Sequence, residues 1–148
     1  MSTYTQSLYQ IVFATKNRGM DLSKDNRKIL YQYAWGVLKN KGCHLYQING
    51  IEDHLHIATA LHPSVALADL VKDLKLSCSR YIKDKNLFKQ FNGWQDGYGA
   101  FTYSIKEKDT LVNYIKGQEE HHKIINLTDE YKRLLTEHQV AFNEKYLF

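Results

Sequence analysis

Alternation in His54-Leu55-His56-Ile57 is the tightest constraint on how this chain folds. Side chains on a strand take opposite faces in turn, so the two imidazoles share one side and Leu55 and Ile57 the other. Such a segment suits a sheet whose one face is packed by helices and whose other face carries polar groups. Leu8 to Thr15 is rich in β-branched and aromatic residues and reads as a first strand, ended by Asn17-Arg18-Gly19. Ser23 then caps a helix over residues 24–41, with Leu30, Tyr33, Ala34, Val37 and Leu38 at helical spacing until Gly42. Cys43 to Ile48 is a second strand, Asn49-Gly50 its turn, and His54 to Leu61 an antiparallel third strand.

Pro63-Ser64 opens a second helix with Leu67, Leu70, Val71, Leu74, Cys78, Tyr81 and Ile82 as its buried stripe. Tyr98 to Ile105 predicts a fourth strand, residues 109–121 a shorter helix, and Thr128 the cap of a last helix that fades near Asn143. This order is the α+β, ferredoxin-like (RRM-like) βαββαβ plan, an antiparallel sheet with additional C-terminal helices. No repeat, low-complexity tract or linker interrupts it, so a single domain over residues 1–148 is expected. The plan hosts many unrelated activities, so function has to come from particular residues.

Composition narrows the classes. Apolar residues at 43% and charged residues at 24% are the balance of a globular domain, and no run reaches the roughly 18 apolar residues of a membrane span. The first residues lack a basic region followed by an apolar run, and two cysteines cannot make a disulfide framework. A cytoplasmic protein with reduced thiols and no membrane association is expected. Twenty Lys and Arg against sixteen Asp and Glu give +4, compatible with a nucleic-acid partner without arguing for one.

Two features carry chemistry. His54 and His56, side by side on a rigid strand, can form half of a metal site, although a pair of this kind taken alone is better explained by two exposed strand histidines without a task. Tyr114 and Gln118 lie four apart, one turn from each other on a helix anchored by Leu111, Val112 and Ile115. A phenol can attack phosphorus when a metal polarises the phosphate, and a Gln carbonyl oxygen can complete a site with two histidines. Taken singly, Tyr114 reads as core and Gln118 as surface; the combination raises the functional reading. His121-His122 points about 100° apart on a helix and reads as a C-terminal dipole feature rather than a chelating pair.

Asp53-His54-Leu55-His56-Ile57 resembles the histidine–hydrophobe–histidine (HUH) motif, and Tyr114-Ile115-Lys116-Gly117-Gln118 the Tyr-x-x-x-Gln motif of single-tyrosine transposases of bacterial insertion sequences of the two-hundred class. Leu70 to Lys75 and Ser79-Arg80-Tyr81 are similar to that family's second helix, Trp94 to Phe101 to its Trp-Gln-x-Gly-Tyr segment, and Tyr131 to Leu135 and Glu144 to Phe148 to its tail. The resemblance implies a transposase acting on single-stranded DNA with hairpins at the element ends, with Tyr114 as nucleophile forming a 5′-phosphotyrosine link. It implies that His54, His56 and Gln118 hold Mg²⁺ or Mn²⁺. It also implies a homodimer with active sites shared between subunits, the tyrosine helix of one packing against the histidine pair of the other.

For DNA contacts, Lys72, Lys75, Ser79 and Lys83 fall on one stripe of the second helix, with Arg80 beside them and Arg18 after the first strand as a further candidate. Such a stripe can neutralise phosphates, though it equally describes a solvated helix face. Two other readings stay open. A non-catalytic ferredoxin-like nucleic-acid-binding module would use Phe101 and Tyr103 on an open sheet face. A domesticated relative processing repetitive extragenic hairpins would keep the same chemistry.

Overall fold

The computed structural model describes residues 1–147 and contains the expected four strands in the order of the ferredoxin-like plan. Strands β1 (Tyr9–Ala14), β2 (Leu45–Gly50), β3 (His54–Thr59) and β4 (Gly99–Thr102) form one antiparallel sheet in the order β2-β3-β1-β4. Helices α1 (Lys24–Asn40) and α2 (Leu67–Asp84) pack on one face. Ile11 and Phe13 of β1 and Leu55 and Ile57 of β3 meet Leu30, Ala34, Leu38, Leu70, Leu74 and Cys78 there. The period of two therefore sends alternate residues of β1 and β3 into this core and the others to the opposite face. Tyr33 and Tyr81 stack across α1 and α2 at 4.0 Å, in keeping with a packing role for Tyr81. Cys43 and Cys78 are free thiols buried in this layer, and burial pushes the Cys78 thiol up to about 12.

The opposite face is covered as well. Helices α3 (Lys108–Lys116), α4 (Gln118–His121) and α5 (Leu127–Glu137) lie over it. Leu111 and Ile115 pack on Leu8 and Ala58, while Leu134 and Leu135 pack on Val12 and Phe101. Phe101 is buried beneath α5, and the Tyr103 hydroxyl accepts a hydrogen bond from Gln10 Nε2 at 2.6 Å. An open sheet face with Phe101 and Tyr103 free to stack on bases is thus not what the chain builds.

Element boundaries shift for identifiable reasons. Asn49 and Gly50, expected as a turn, belong to β2; the connection is the short segment from Ile51 to Asp53. Asn49 Nδ2 donates to the carbonyls of Ile115 and Lys116 at 3.1 and 3.0 Å, so it satisfies the end of α3 from the sheet. Gly50 is required by close approach: a Cβ there would lie 2.1 Å from the His54 carbonyl oxygen. The helix expected over 109–121 is broken at Gly117 into α3 and α4. Asn126 rather than Thr128 caps α5, accepting from the Asp129 N–H, and that helix ends at Glu137, not near Asn143. Pro63-Ser64 precede a stretch before α2, whose first residue is Leu67. Strand β4 is shorter than expected because Ser104 starts a 3₁₀ turn, forming a capping box with Glu107. Among the described residues, no helix is long and apolar enough to cross a membrane.

Because the Gly50 contact is with backbone, little can yield to an added methyl. Gly50→Ala is expected to lower stability by about 1–3 kcal/mol in urea unfolding; an unchanged midpoint would show that the β2–β3 connection relaxes freely.

Candidate active site

The residues that leave the core side of β1 and β3 define the site. Ala14 pairs with His54 and Val12 with His56 in the β1–β3 register, so both imidazoles project from the middle of the sheet toward α3, α4 and α5. Both histidines are completely buried. The sheet face expected to carry polar groups does so, and the histidines face away from the α1/α2 core, but they are not exposed as strand histidines there would be, because the C-terminal helices roof them.

Each imidazole is oriented from behind. His54 Nδ1 lies 2.8 Å from Asp53 Oδ1, and His56 Nδ1 lies 2.7 Å from Gln10 Oε1. With Nδ1–H donating to these oxygens, both rings turn Nε2 toward the roof. This outer-shell arrangement fixes tautomer and ring angle in metal-binding histidines. Gln10 is itself held, since its amide nitrogen donates to Tyr103.

The roof brings Tyr114, Gln118, His122 and Glu130 over the pair. Gln118 Oε1 lies 3.3 Å from His54 Nε2, and the Tyr114 ring centre lies 5.9 Å from that of His56. The break at Gly117 does not separate Tyr114 from Gln118: both hydrogen-bond to Glu130 Oε2, Gln118 Nε2 at 3.1 Å and Tyr114 through its hydroxyl. The other carboxylate oxygen, Oε1, is 3.0 Å from His56 Nε2, 2.9 Å from His122 Nε2 and 3.7 Å from His54 Nε2. His121 Nε2 comes within 3.2 Å of Glu130 Oε2 without hydrogen-bonding geometry, so the two neighbouring histidines do different things. His122, read from the sequence as a dipole feature, is part of the cluster.

This donor set fits a divalent cation. Ligand atoms of His54, His56, His122 and Glu130 all lie within 4.8 Å of one another, beneath the roof. The separations of Glu130 Oε1 from His56 and His122, 3.0 and 2.9 Å, bring one carboxylate oxygen and two imidazole nitrogens to a single point. Imidazole nitrogens with one carboxylate suit a transition ion such as Mn²⁺ better than the oxygen-only shells of Mg²⁺.

Electrostatics follow from burial. Desolvation works to raise the Glu130 carboxyl, yet its close contacts with His122 and His56 overcome it and hold the group well below the usual carboxylate range. Burial pushes His56 down to about 4, against the pull of Glu130. Burial and the Glu130 charge raise the Tyr114 phenol above its ordinary value, with Arg133 acting in the other direction. Arg133 Nη2 donates to the Tyr114 hydroxyl at 3.2 Å, and its guanidinium sits 5.6 Å from the ring centre. Beyond them opens a cleft of about 240 Å³ lined by Tyr103, Glu107, Leu111, Tyr114, Arg133 and Glu137. Tyr114 stands between cleft and cluster.

The DNA-contact candidates are placed elsewhere. The core side of α2 packs on the sheet face opposite the histidines, leaving Lys72, Arg80 and Lys83 exposed on the far side of the molecule. Ser79 is half-buried, and Lys75 Nζ donates to the carbonyls of Gln95 and Gly97, which tethers the 93–98 loop and removes Lys75 from the free stripe. Trp94 packs edge-on against Phe13 and Phe91 and donates to the Lys75 carbonyl at 3.1 Å, a structural job. Arg18 Nη1 donates to Thr128 Oγ1 at 2.6 Å, joining the end of β1 to α5.

Gln10, His122, Glu130 and Arg133 were not found from the sequence. Glu130 had a signal: it occupies a position of the apolar stripe shared by Leu127, Leu134 and Leu135, where an unpaired carboxylate would be costly. Gln10 has the same character, a lone amide inside an otherwise apolar strand.

Comparison with known proteins places the chain in a class of DNA-processing proteins. The transposase IS200-like family model matches residues 3–118, and the chain belongs to that family. Two solved structures share the fold. One is a candidate transposase from Deinococcus radiodurans R1, 22% identical, with a TM-score of 0.60 over 80% of this chain and 95% of that one. The other is a REP-associated tyrosine transposase bound to a REP hairpin, 15% identical, with a TM-score of 0.61 over 87% and 79%. No curated protein matches the chain.

The buried His56 and Glu130 set an acid limit on the metal-free protein. Between about pH 6.5 and 4 an unfolded His56 binds a proton that the folded one refuses, so the unfolded state gains on acidification. Glu130 acts with the same sign: its stabilisation is full above the ordinary carboxylate pKa and is lost only as pH falls toward its depressed folded value. In EDTA, stability is expected to fall by on the order of 2–3 kcal/mol from pH 7 to 4, read from thermal unfolding. A rise over that interval would contradict the burial of a neutral His56.

Proposed function

We propose that this transposase-family chain cleaves and rejoins single-stranded DNA in a metal-dependent reaction through a 5′-phosphotyrosine intermediate on Tyr114. One observation carries the reading: a single chain gathers Tyr114, Gln118, His54 and His56 at one buried point although the two motifs lie 64 residues apart. A binding module has no use for that convergence. His54, His56 and Gln118 would hold Mg²⁺ or Mn²⁺, with the nitrogen-rich surroundings favouring Mn²⁺. The bound cation would supply Lewis-acid polarisation of the scissile phosphate.

The residues divide the remaining work. Arg133, at the mouth of the cleft beside Tyr114, attracts the incoming phosphodiester and steadies the phenol. The Tyr114 oxygen loses its proton and forms the bond to phosphorus while the bond to the 3′ oxygen breaks, and that oxygen takes up a proton, so the departing strand leaves with a 3′-hydroxyl and no net proton is consumed. Reversal by a different 3′-hydroxyl joins new ends and frees Tyr114, consuming neither water nor nucleotide. Asp53 and Gln10 keep the imidazoles in place throughout. Because one structural neighbour is bound to a hairpin, we take hairpin-bearing single-stranded DNA as the substrate. The exposed Lys72, Arg80 and Lys83 of α2, with Ser79 beside them, would then hold flanking DNA rather than the scissile phosphate.

Tyr114→Phe removes one oxygen and keeps the ring, so fold and DNA binding should persist while the covalent adduct with labelled single-stranded DNA and Mn²⁺ disappears. His54→Ala or His56→Ala should lower adduct formation at least about 10²-fold. An adduct surviving in Tyr114→Phe, or mapping to another tyrosine, rejects the assignment.

The resemblance suggests a homodimer with shared sites, whereas here Tyr114 reaches the histidines of its own chain. We propose a two-subunit assembly in which each site is complete in cis. Mixing Tyr114→Phe with His56→Ala protein should then restore no adduct, while a light-scattering mass should be twice 17.4 kDa. Restored activity would establish sharing, and a mass of one chain would remove the dimer.

A further inference from the structure

Glu130 is the charged group at the centre of the site, and it lies beyond residues 3–118, where the family match ends. It is fully buried, and among the described residues no lysine or arginine pairs with it; its ion-pair contacts are all histidines. A buried carboxylate partnered only by groups without a permanent charge is costly, and a bound cation removes that cost. Its two oxygens are also used differently. Oε1 faces the imidazoles of His56 and His122, at 3.0 and 2.9 Å. Oε2 faces the other way and accepts from the Tyr114 hydroxyl and, at 3.1 Å, from Gln118 Nε2.

We propose that Glu130 bridges the two halves of the site, with Oε1 serving with His122 as an additional ligand of the divalent cation while Oε2 anchors the Tyr114 hydroxyl beside it. The inference rests on the metal-dependent reading above and deepens it. One carboxylate then sets the distance between cation and nucleophile, so α5 is part of the active site rather than a packing element. Glu130 is a ligand through one atom and a positioning residue through the other.

Mn²⁺ binding measured calorimetrically without DNA tests the first half. Glu130→Gln is close in shape and should weaken Mn²⁺ binding about 10–100-fold, with His56→Ala weakened at least as much. Tyr114→Phe leaves Oε1 in place and should bind Mn²⁺ within about threefold of the parent. It also keeps the carboxylate, so it remains informative should Glu130→Gln fail to fold, as checked by its metal-free melting curve. In that event a more than tenfold loss in Tyr114→Phe would point to the phenol as ligand and overturn the assignment to Oε1.

Single-turnover adduct formation tests the second half. At saturating Mn²⁺, Glu130→Gln should stay about tenfold or more slower than the parent, because the charged acceptor for Tyr114 is gone. Parent-like Mn²⁺ affinity in Glu130→Gln, with His56→Ala impaired, overturns the ligand role and leaves the metal reading standing. Parent-like affinity in both overturns the centre itself. Full recovery of the rate at saturating Mn²⁺ overturns the anchoring role.

Discussion

A buried carboxylate contacted both from the sheet and from the helices that roof it organises one half of this molecule. Glu130 on α5 lies against His56 from the sheet and His122 just after α4, and accepts from Tyr114 of α3 and Gln118 of α4. Without those partners the charge could not remain at the base of the roof. With them, three short helices of modest apolar area acquire one relative arrangement. The apolar contacts of Leu111, Ile115, Leu134 and Leu135 bring the helices down onto the sheet; the polar cluster fixes where they come to rest.

The sheet supplies the other half of the arrangement through its period of two. Leu55 and Ile57 bind the strand to the α1/α2 core, which lends rigidity to the histidines between them. Behind the rings, Asp53 and Gln10 act from the same strand and its neighbour, so neither imidazole depends on a loop for its orientation. Rigid elements on one side and a docked roof on the other give the site its close tolerances.

Legibility from the sequence followed the range of the interactions. Periodicity exposed β1, α1, β3 and α2, and the antiparallel βαββαβ order came from those elements together. His54, His56, Tyr114 and Gln118 were visible because the members of each pair are only two or four residues apart, where local spacing makes side chains neighbours, even across the break at Gly117. Glu130, Gln10 and His122 were missed because their roles arise only on docking: His56 and Glu130 are 74 residues apart. Asn49-Gly50 misled for a related reason. The dipeptide usually signals a turn, but here the glycine serves a backbone contact and the asparagine serves the end of a distant helix. The open-face module failed because the apolar stripe of α5 had no assigned destination until it was seen to lie on Phe101.

The long sequence separation within the cluster also orders events in time. On a ribosome, β1, α1, β2, β3 and α2 can settle as a sheet with one covered face while the other face still exposes His54 and His56. Contacts of such separation close late, after the loop entropy of the intervening chain has been overcome. The nascent chain therefore holds a histidine pair without its tyrosine or its carboxylate. Tyr114, the histidine pair and Glu130 come into register only when α5 has been synthesised and docked.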